Sequence, residues 1–261
     1  MPAPVAKRRG VQDSEIVAGR NPVVEALRAK VPASAVLLAD GIDHDERITE
    51  SLKIADRRGI PVESVNRAQL DRLCDRAPHQ GIALRVPEYS YAHPDDLIIR
   101  ADEAKEPGLL VALDSVTDPR NLGAIVRSAA AFGAHGVVIP QRRAAGMSTA
   151  AWKTSAGAAA RIPVASAVNL TRTLESFQKA GMLVIGLDVD GEIDIDDLEA
   201  AVSPIVLVVG SEDKGLSRLV QKTCDILVRI PIASDVESLN AGIATAVVLS
   251  EVARRRRAES V

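Results

Sequence analysis

A series of short apolar runs in the second half of the chain sets the limits on its fold. They are rich in Val, Ile and Leu, show no alternation of polar and apolar residues, and are separated by segments of helical periodicity. Strands that are apolar on both faces are typical of parallel sheets with helices on each side. The sequence therefore predicts an α/β domain with a mostly parallel sheet over residues 108–261. Its strands are expected in GLLVALDSV, GVVIP, RIPVA, MLVIGLDV, PIVLVVG and DILVRIPI.

A second, smaller α/β pattern occupies residues 14–86. The apolar run AVLLA at 35–39 predicts a buried strand, and the amphipathic segment 44–59 predicts a helix. A strand–helix–strand pattern completes this unit. The remaining residues are a basic, flexible tail at 1–13 and a proline-containing linker at 87–107 that has room for one short helix, so we expect two domains.

Composition narrows the classes of protein that this chain can be. The net charge of −3 is not the strong positive field of a protein that coats nucleic acid, and an aromatic content of 2% leaves few rings for stacking bases. An RNA partner would therefore have to be held by local patches of Lys and Arg. The candidates for phosphate contact are Arg20, Arg28 and the tail cations Lys7, Arg8 and Arg9.

Cysteine and histidine are too few and too scattered for a disulfide framework or a metal site. The cysteines are Cys74 and Cys224, and the four histidines show no metal-ligand spacing. No apolar run reaches the roughly 18–20 residues needed to span a bilayer, and the basic N-terminus has no apolar core behind it. We expect a cytoplasmic protein without metal or membrane segment, and a solvated helix end at Arg254–Arg257.

An α/β domain raises the question of a nucleotide site, and neither of two common motifs is complete. A dinucleotide-binding domain carries G-x-G-x-x-G directly after its first strand, whereas TDPRNLG follows that strand here. Gly210–Gly215 has the first six positions of a phosphate-binding G-x-x-x-x-G-K-[ST] loop, but Leu216 and Ser217 follow. A dehydrogenase or a nucleotide triphosphatase is therefore not indicated.

Three polar loops follow apolar runs, at 117–123, 210–215 and 230–240. They would lie at the carboxyl ends of strands, where α/β sheets bind ligands. One such loop could be no more than a helix cap, but three in one domain indicate a site.

Three stretches resemble, in order and spacing, the motifs of the SpoU (TrmH-like) RNA ribose 2′-O-methyltransferases of the SPOUT superfamily. They are DPRNLGAIVRSAAAFG, VVGSEDKGLSRLV and IPIASDVESLNAGIATAVVLSE. In addition, GRNPVVEAL and HQGIALRV resemble the N-terminal RNA-binding domain of RlmB-like 23S rRNA guanosine methyltransferases, an L30e-like α/β fold. The resemblance covers nearly the whole chain.

The resemblance implies transfer of a methyl group from S-adenosylmethionine to a ribose 2′-hydroxyl of RNA, with a guanosine of 23S rRNA as the expected target. It also implies a homodimer, a C-terminal trefoil knot in the SPOUT-type domain, RNA rather than DNA as the partner, and no metal. Two other functions remain open. One is the same chemistry on tRNA, although minimal tRNA enzymes of the family resemble only the catalytic half. The other is a non-catalytic rRNA-binding or ribosome-assembly factor.

The resemblance also assigns catalytic roles to five residues. They are Asn121, Arg127, Glu212, Ser238 and Asn240. Ordinary structural roles are open for most of them: Asn121 could cap a helix and Glu212 could be a first-turn acid. Ser238 could likewise be the cap of the last helix, with Asn240 in its first turn.

Arg127 follows Gly123 by one helical turn, on a face of small residues where a backbone or a substrate could come close. A surface arginine beside a helix contact would show the same pattern. The resemblance makes this arginine the catalytic one, often described as the general base, but a guanidinium holds its proton so strongly that this role is difficult. We expect phosphate binding and stabilisation of the developing alkoxide instead.

The resemblance points to Gly210, Ile230 and Leu239 for binding S-adenosylmethionine. A glycine at position 210 would let the backbone approach the ligand, and the two apolar side chains would enclose the adenine. Ile230 could equally be ordinary strand core. The sequence departs from the family motifs at Asp213, where glycine is usual, and at Ala241-Gly242, where the family continues with Val-Ser.

Overall fold

The computed structural model describes residues 14–233 and 238–259. The chain divides into two compact units, and the boundary falls between Ser90 and Tyr91. Each unit has its own sheet.

The first unit is a four-stranded mixed sheet with helices. Its elements are β1 (Glu15–Ala18), α1 (Arg20–Arg28), β2 (Ala35–Ala39), α2 (Glu46–Arg57), β3 (Val62–Val65), α3 (Arg67–Leu73) and β4 (Ile82–Val86). The strands lie in the order β1-β4-β2-β3, and only β2 and β3 are parallel. The strand predicted at 35–39 is confirmed, and its residues Ala35 and Leu37 are buried against Leu70.

The second unit is built on a seven-stranded sheet. Its helices are α4 (Pro94–Asp102), α5 (Pro119–Ala131), α6 (Thr149–Ser155), α7 (Leu170–Lys179), α8 (Arg218–Thr223) and α9 (Ala241–Glu259). Its strands are β5 (Leu109–Leu113), β6 (Gly136–Pro140), β7 (Val164–Ala167), β8 (Leu183–Leu187), β9 (Ile193–Asp194), β10 (Ile205–Val209) and β11 (Ile226–Arg229). Short 3₁₀ helices cover Ala158–Ala160, Ile195–Asp197 and Glu199–Val202.

The seven strands lie in the order β7-β6-β5-β10-β8-β11-β9, and every pair is parallel. The two central strands β5 and β10 are buried at every residue. The prediction of a mostly parallel sheet covered on both faces is therefore confirmed. The trefoil knot stays a prediction.

The predicted linker at 87–107 contains one short helix, which belongs to the second unit. This helix, α4, begins at Pro94. His93 is its N-cap and forms a capping box with Asp96. Its residue Leu97 is buried in the second unit, where a Cβ on Gly136 would lie 2.7 Å from it. The prolines that indicated a linker include one that starts a helix, as proline in the first turn often does.

The C-terminal arginines differ from the expected solvated helix end. Arg256 is half-buried and donates to the backbone oxygens of Ala201 and Ser203, each at 2.9 Å. Burial lowers the pKa of its guanidinium. Arg256 thus fastens α9 to the segment before β10, whereas Arg254 pairs with Glu251 on the surface.

Chain order and spatial order diverge beside β5. From β5 the chain runs outward through β6 and β7, and then crosses to β8 on the far side of β10. The carboxyl ends of β5, β10, β8 and β11 therefore lie next to one another. Open α/β sheets bind ligands at such a crossover, and all three polar loops start from strands at this edge.

Candidate active site

Helix α5 starts two residues earlier than Asn121. Asp118 is its N-cap, accepting a hydrogen bond from the backbone nitrogen of Arg120 at 2.8 Å, and Pro119 is the first helical residue. Asn121 is therefore not the cap but a first-turn residue whose side chain is available for other partners. The first polar loop ends at Asp118.

The loop that follows β10 folds back on itself. Ser211 and Gly215 exchange backbone hydrogen bonds of 3.1 and 2.9 Å. A Cβ on Gly210 would lie 2.1 Å from the backbone carbon of Gly215, so only glycine fits this position. Glu212 lies in the turn between these residues and is exposed; it is not in the first turn of a helix, since α8 begins at Arg218.

Asn240, not Ser238, caps the last helix. The side-chain oxygen of Asn240 accepts hydrogen bonds from the backbone nitrogens of Gly242 at 3.0 Å and Ile243 at 3.2 Å. Helix α9 accordingly begins at Ala241. The amide nitrogen of Asn240 lies within hydrogen-bonding distance of Asn121 and Glu212.

Asn121, Glu212 and Asn240 meet in one hydrogen-bonded group, called here the amide–carboxylate cluster. The Oε1 atom of Glu212 accepts from the Asn121 amide at 2.7 Å and from the backbone nitrogen of Ala241 at 3.2 Å. The Asn240 amide also contacts this oxygen, and it lies 2.9 Å from the side-chain oxygen of Asn121. The carboxylate thus sits at the start of α9, where the partial positive charge of a helix N-terminus attracts an acidic side chain.

Arg127 is exposed and does not join this cluster. Six residues along an α-helix correspond to a rotation of roughly 240°, so Arg127 and Asn121 point about 120° apart. Within residues 14–233 and 238–259, Arg127 has no hydrogen bond or ion pair. Its side of the helix is the one that Gly123 occupies, where a Cβ would lie 2.4 Å from the backbone oxygen of Ala151 in α6. The close approach expected at this small-residue face is therefore made, at Gly123, by another helix.

The remaining candidate residues lie around the same edge of the sheet. Gly210 and Ile230 directly follow β10 and β11, the two strands that flank β8. Strand spacing of about 4.8 Å places these two positions roughly 10 Å apart. Ile230 and Leu239 are half-buried and Ser238 is exposed. Positions 234–237 of the third loop fall outside the described residues.

Sequence reasoning missed one buried acid at this edge, Asp114. It directly follows β5, is 6% exposed, and accepts a hydrogen bond from the backbone nitrogen of Ser217 at 2.6 Å. An acid at the end of an otherwise apolar strand is the signal that could have identified it. A buried carboxylate is costly unless it is hydrogen-bonded to specific partners.

Other chemistries find little support among the described residues. No group of three or more His, Cys, Asp or Glu in them is placed to hold a metal ion. Burial, with a contribution from Asp225 and Asp114, raises the pKa of the Cys224 thiol to about 12, which makes it a poor nucleophile. Searched over the same residues, no helix is long and apolar enough to cross a membrane.

The parallel sheet and the loops at its carboxyl edge define an α/β protein with a candidate ligand site at that edge. A protein-family model, described as the SpoU rRNA Methylase family, matches residues 108–250, more than half of the chain. The chain therefore belongs to the SpoU rRNA methylase family, a class of methyltransferases that act on RNA. A second model, described as RNA 2′-O ribose methyltransferase substrate binding, matches residues 16–92. The resemblance inferred from the motifs is confirmed.

Individual proteins agree with this assignment. The chain is 59% identical over 251 residues to a protein of Mycolicibacterium vanbaalenii named an uncharacterized tRNA/rRNA methyltransferase. The alignment covers 96% of this chain and 80% of that protein. The SpoU methyltransferase AviRb from Streptomyces viridochromogenes, in complex with AdoMet, aligns with a TM-score of 0.68 and 25% identity over 94% of this chain and 91% of its own. An AdoMet-bound rRNA methyltransferase from Sinorhizobium meliloti aligns with a TM-score of 0.62 and 27% identity, over 93% and 87% of the two chains.

Proposed function

We propose that this protein transfers a methyl group from S-adenosylmethionine to a ribose 2′-hydroxyl of RNA, with a guanosine of 23S rRNA as the target. The observation that carries the proposal is the amide–carboxylate cluster at the carboxyl edge of the sheet. It joins residues from each of the three motifs, and it does so beside the loops where a ligand of an α/β protein is expected.

Glu212 is the residue that would meet the ribose. Its Oε1 atom is held by Asn121 and by the start of α9, whereas its Oε2 atom has no hydrogen-bond partner in the described parts of the chain. One oxygen thus fixes the side chain, and the other can accept a hydrogen bond from a substrate hydroxyl. A fixed acceptor costs no reorganisation when the hydroxyl begins to lose its proton.

Arg127 would supply the positive charge. A guanidinium remains protonated at any physiological pH, so its role is to bind the adjoining phosphate and to stabilise the oxygen as negative charge develops. Because Arg127 is exposed and unpaired within the described residues, its donors are available to RNA.

The fit of S-adenosylmethionine rests on the loops after β10 and β11. Half-buried Ile230 and Leu239 would provide apolar surface for the adenine. Glycine is required at position 210 for a different reason from the one expected. The space beside its Cα is filled by the backbone of Gly215, not left open for a ligand. When bound, S-adenosylmethionine supplies a methyl group already activated by its sulfonium. The protein has only to align the acceptor hydroxyl and exclude water.

RNA contacts in the first unit would come from arginines other than those expected. Arg28 is paired with Glu50 through two bonds of 2.8 and 2.6 Å, and Arg20 lies 3.0 Å from Asp45. A cavity of about 560 Å³ is lined by Arg20 and by the exposed Arg47 and Arg67. Arg47 lies 3.9 Å from Asp45, a longer contact than that of Arg20. We assign phosphate contact to these two. The tail cations at positions 7–9 lie outside the described residues.

A homodimer is proposed from an apolar surface along α5 and α9. A cavity of about 620 Å³ there is lined by Ala124, Gly242, Ile243 and Val247, and Asn240 of the cluster lies at its margin. Ile243 and Val247 are 57% and 39% exposed, respectively. A second copy that covered this surface would bury apolar area beside both copies of the cluster.

Transfer of labelled methyl from S-adenosylmethionine to 23S rRNA transcripts, with mapping of the modified nucleotide, tests the proposal. A single 2′-O-methylated guanosine is expected. Methylation of tRNA instead would correct the substrate. Tight rRNA binding with no transfer would favour an assembly factor and overturn the enzymatic assignment.

A further inference from the structure

Asp114 is bound to both ends of the loop that carries Glu212. Its backbone nitrogen donates to the oxygen of Val209, the last residue before the loop, at 2.8 Å. Its carboxylate accepts from the backbone nitrogen of Ser217, which follows the loop, at 2.6 Å. The Ser115 hydroxyl lies 3.2 Å from the other carboxylate oxygen.

Between these anchors the loop has little freedom. The backbone pair of Ser211 and Gly215 closes it, and Gly210 is packed directly on Gly215. Glu212 lies in the turn, so the place of its carboxylate depends on where the two ends are held. Hydrogen bonds to an ionised acceptor are roughly twice as strong as neutral ones, which makes the charge of Asp114 important.

Asp114 also leads directly to the other half of the cluster. Five residues after it, α5 begins, and Asn121 is in the first turn of that helix. The bond to Ser217 therefore connects the strand end that feeds α5 with the far end of the Glu212 loop, just before α8. A shift of this connection would move the carboxylate of Glu212 relative to the amide of Asn121.

We infer that Asp114 is a positioning residue for methyl transfer, which holds Glu212 in register with Asn121 without touching the substrate. The inference rests on the proposed function for its catalytic consequence. Its structural part, the anchoring of residues 210–217, can be tested without any activity.

Asp225 provides a control that shares the hydrogen-bond pattern of Asp114 but is exposed, whereas Asp114 is buried. Its carboxylate also accepts a backbone hydrogen bond, from Val184 at 2.8 Å, and a second bond from Gln178 at 2.9 Å. It lies at the amino ends of β8 and β11, the edge of the sheet opposite to the cluster. Asp114→Asn and Asp225→Asn therefore remove the same kind of charge from opposite edges.

We expect both variants to lower the melting temperature, and only Asp114→Asn to lower kcat, by about tenfold or more, with KM for a 23S rRNA transcript unchanged within twofold. Hydrogen exchange should become faster in residues 210–217 of Asp114→Asn only. A normal kcat in a folded Asp114→Asn variant, or an equal loss in Asp225→Asn, would overturn the inference.

Ser217→Pro tests the same bond from its other side. Ser217 has a φ of −66°, which proline can adopt, and the substitution removes the donor while leaving Asp114 in place. It should reproduce the loss of kcat and the faster exchange, and unchanged values would contradict the inference even if Asp114→Asn fails to fold. If the wild-type protein transfers no methyl group, the proposed function fails, and exchange in residues 210–217 still decides whether Asp114 is the anchor.

Discussion

The Oε1 atom of Glu212 lies 3.2 Å from the backbone nitrogen of Ala241, the first residue of α9. This contact joins the loop after β10 to the start of the last helix. Asn121 of α5 reaches the same oxygen at 2.7 Å. The three sequence motifs are thus physically connected through a single carboxylate oxygen.

Replacing Glu212 with glutamine should lower kcat by about a hundredfold, the size of effect seen when one preorganised polar group is lost from an active site. The glutamine side chain is neutral, whereas the carboxylate of Glu212 is surrounded by three N–H donors. KM for RNA should change little, because Glu212 is not among the groups assigned to phosphate binding. Single-turnover methylation measures the effect, with the exposed Glu175→Gln as control. A kcat within threefold of wild type would remove Glu212 from the site.

Asn240→Ala should reduce both stability and activity. It removes the cap of α9, which costs about 1 kcal/mol of unfolding free energy, and it also removes a member of the cluster. Asn169→Ala is the matched control, because Asn169 caps α7 by accepting from Arg172 at 3.1 Å. Urea unfolding should show similar losses in the two variants, whereas methylation should fall only in Asn240→Ala. Equal activities would show that Asn240 is a cap and nothing more.

The positions of the strands could be predicted from the sequence because a strand that is buried on both faces consists almost entirely of apolar residues. Runs such as AVLLA and GVVIP are strands with the expected bounds, Ala35–Ala39 and Gly136–Pro140. Loops at the carboxyl ends of such strands could be predicted for the same reason. The choice of candidate functional residues within those loops follows only from the family resemblance.

Helix caps were harder to predict, because several residues near each helix start could serve. Asp118 and Pro119 are a strong local start signal for α5, yet Asn121 is also a residue type that often caps helices. The choice of Asn240 over Ser238 depends on Glu212, which is far away in sequence and attracts the Asn240 amide. Contacts of this kind are set by tertiary structure, and no local pattern records them.

Arg127→Lys should retain stability and lose activity. The side chain is exposed and unpaired in the described part of the chain, so the melting temperature should stay within a degree or two of wild type, as for most surface substitutions. Lysine keeps the charge but not the planar fork that binds a phosphate and an alkoxide together. We expect kcat to fall at least about tenfold, with exposed Arg172→Lys as control. Turnover near the wild-type value would contradict the positioning role of the guanidinium.

Arg47→Ala combined with Arg67→Ala should weaken RNA binding without changing kcat at saturating RNA. Each lost phosphate contact should reduce the slope of log affinity against log salt by about one. Filter binding of a 23S rRNA transcript at several salt concentrations measures this. Arg28→Ala is the control, because Glu50 already occupies that guanidinium. An unchanged slope in the double variant would place the RNA elsewhere on the protein.

Ile243→Asp should convert a dimer into monomers and lower the methylation rate. Ile243 is 57% exposed on α9 and lines the apolar cavity beside Asn240. If a second copy covers this surface, an aspartate at position 243 would be buried without an oppositely charged partner. Ile99→Asp on α4 is the matched control, since Ile99 is 56% exposed. Light scattering coupled to size-exclusion chromatography should show a halved mass for Ile243→Asp only. A wild-type protein that is monomeric at assay concentration, or an Ile243→Asp variant that remains dimeric, would mean that the α5–α9 surface serves another purpose.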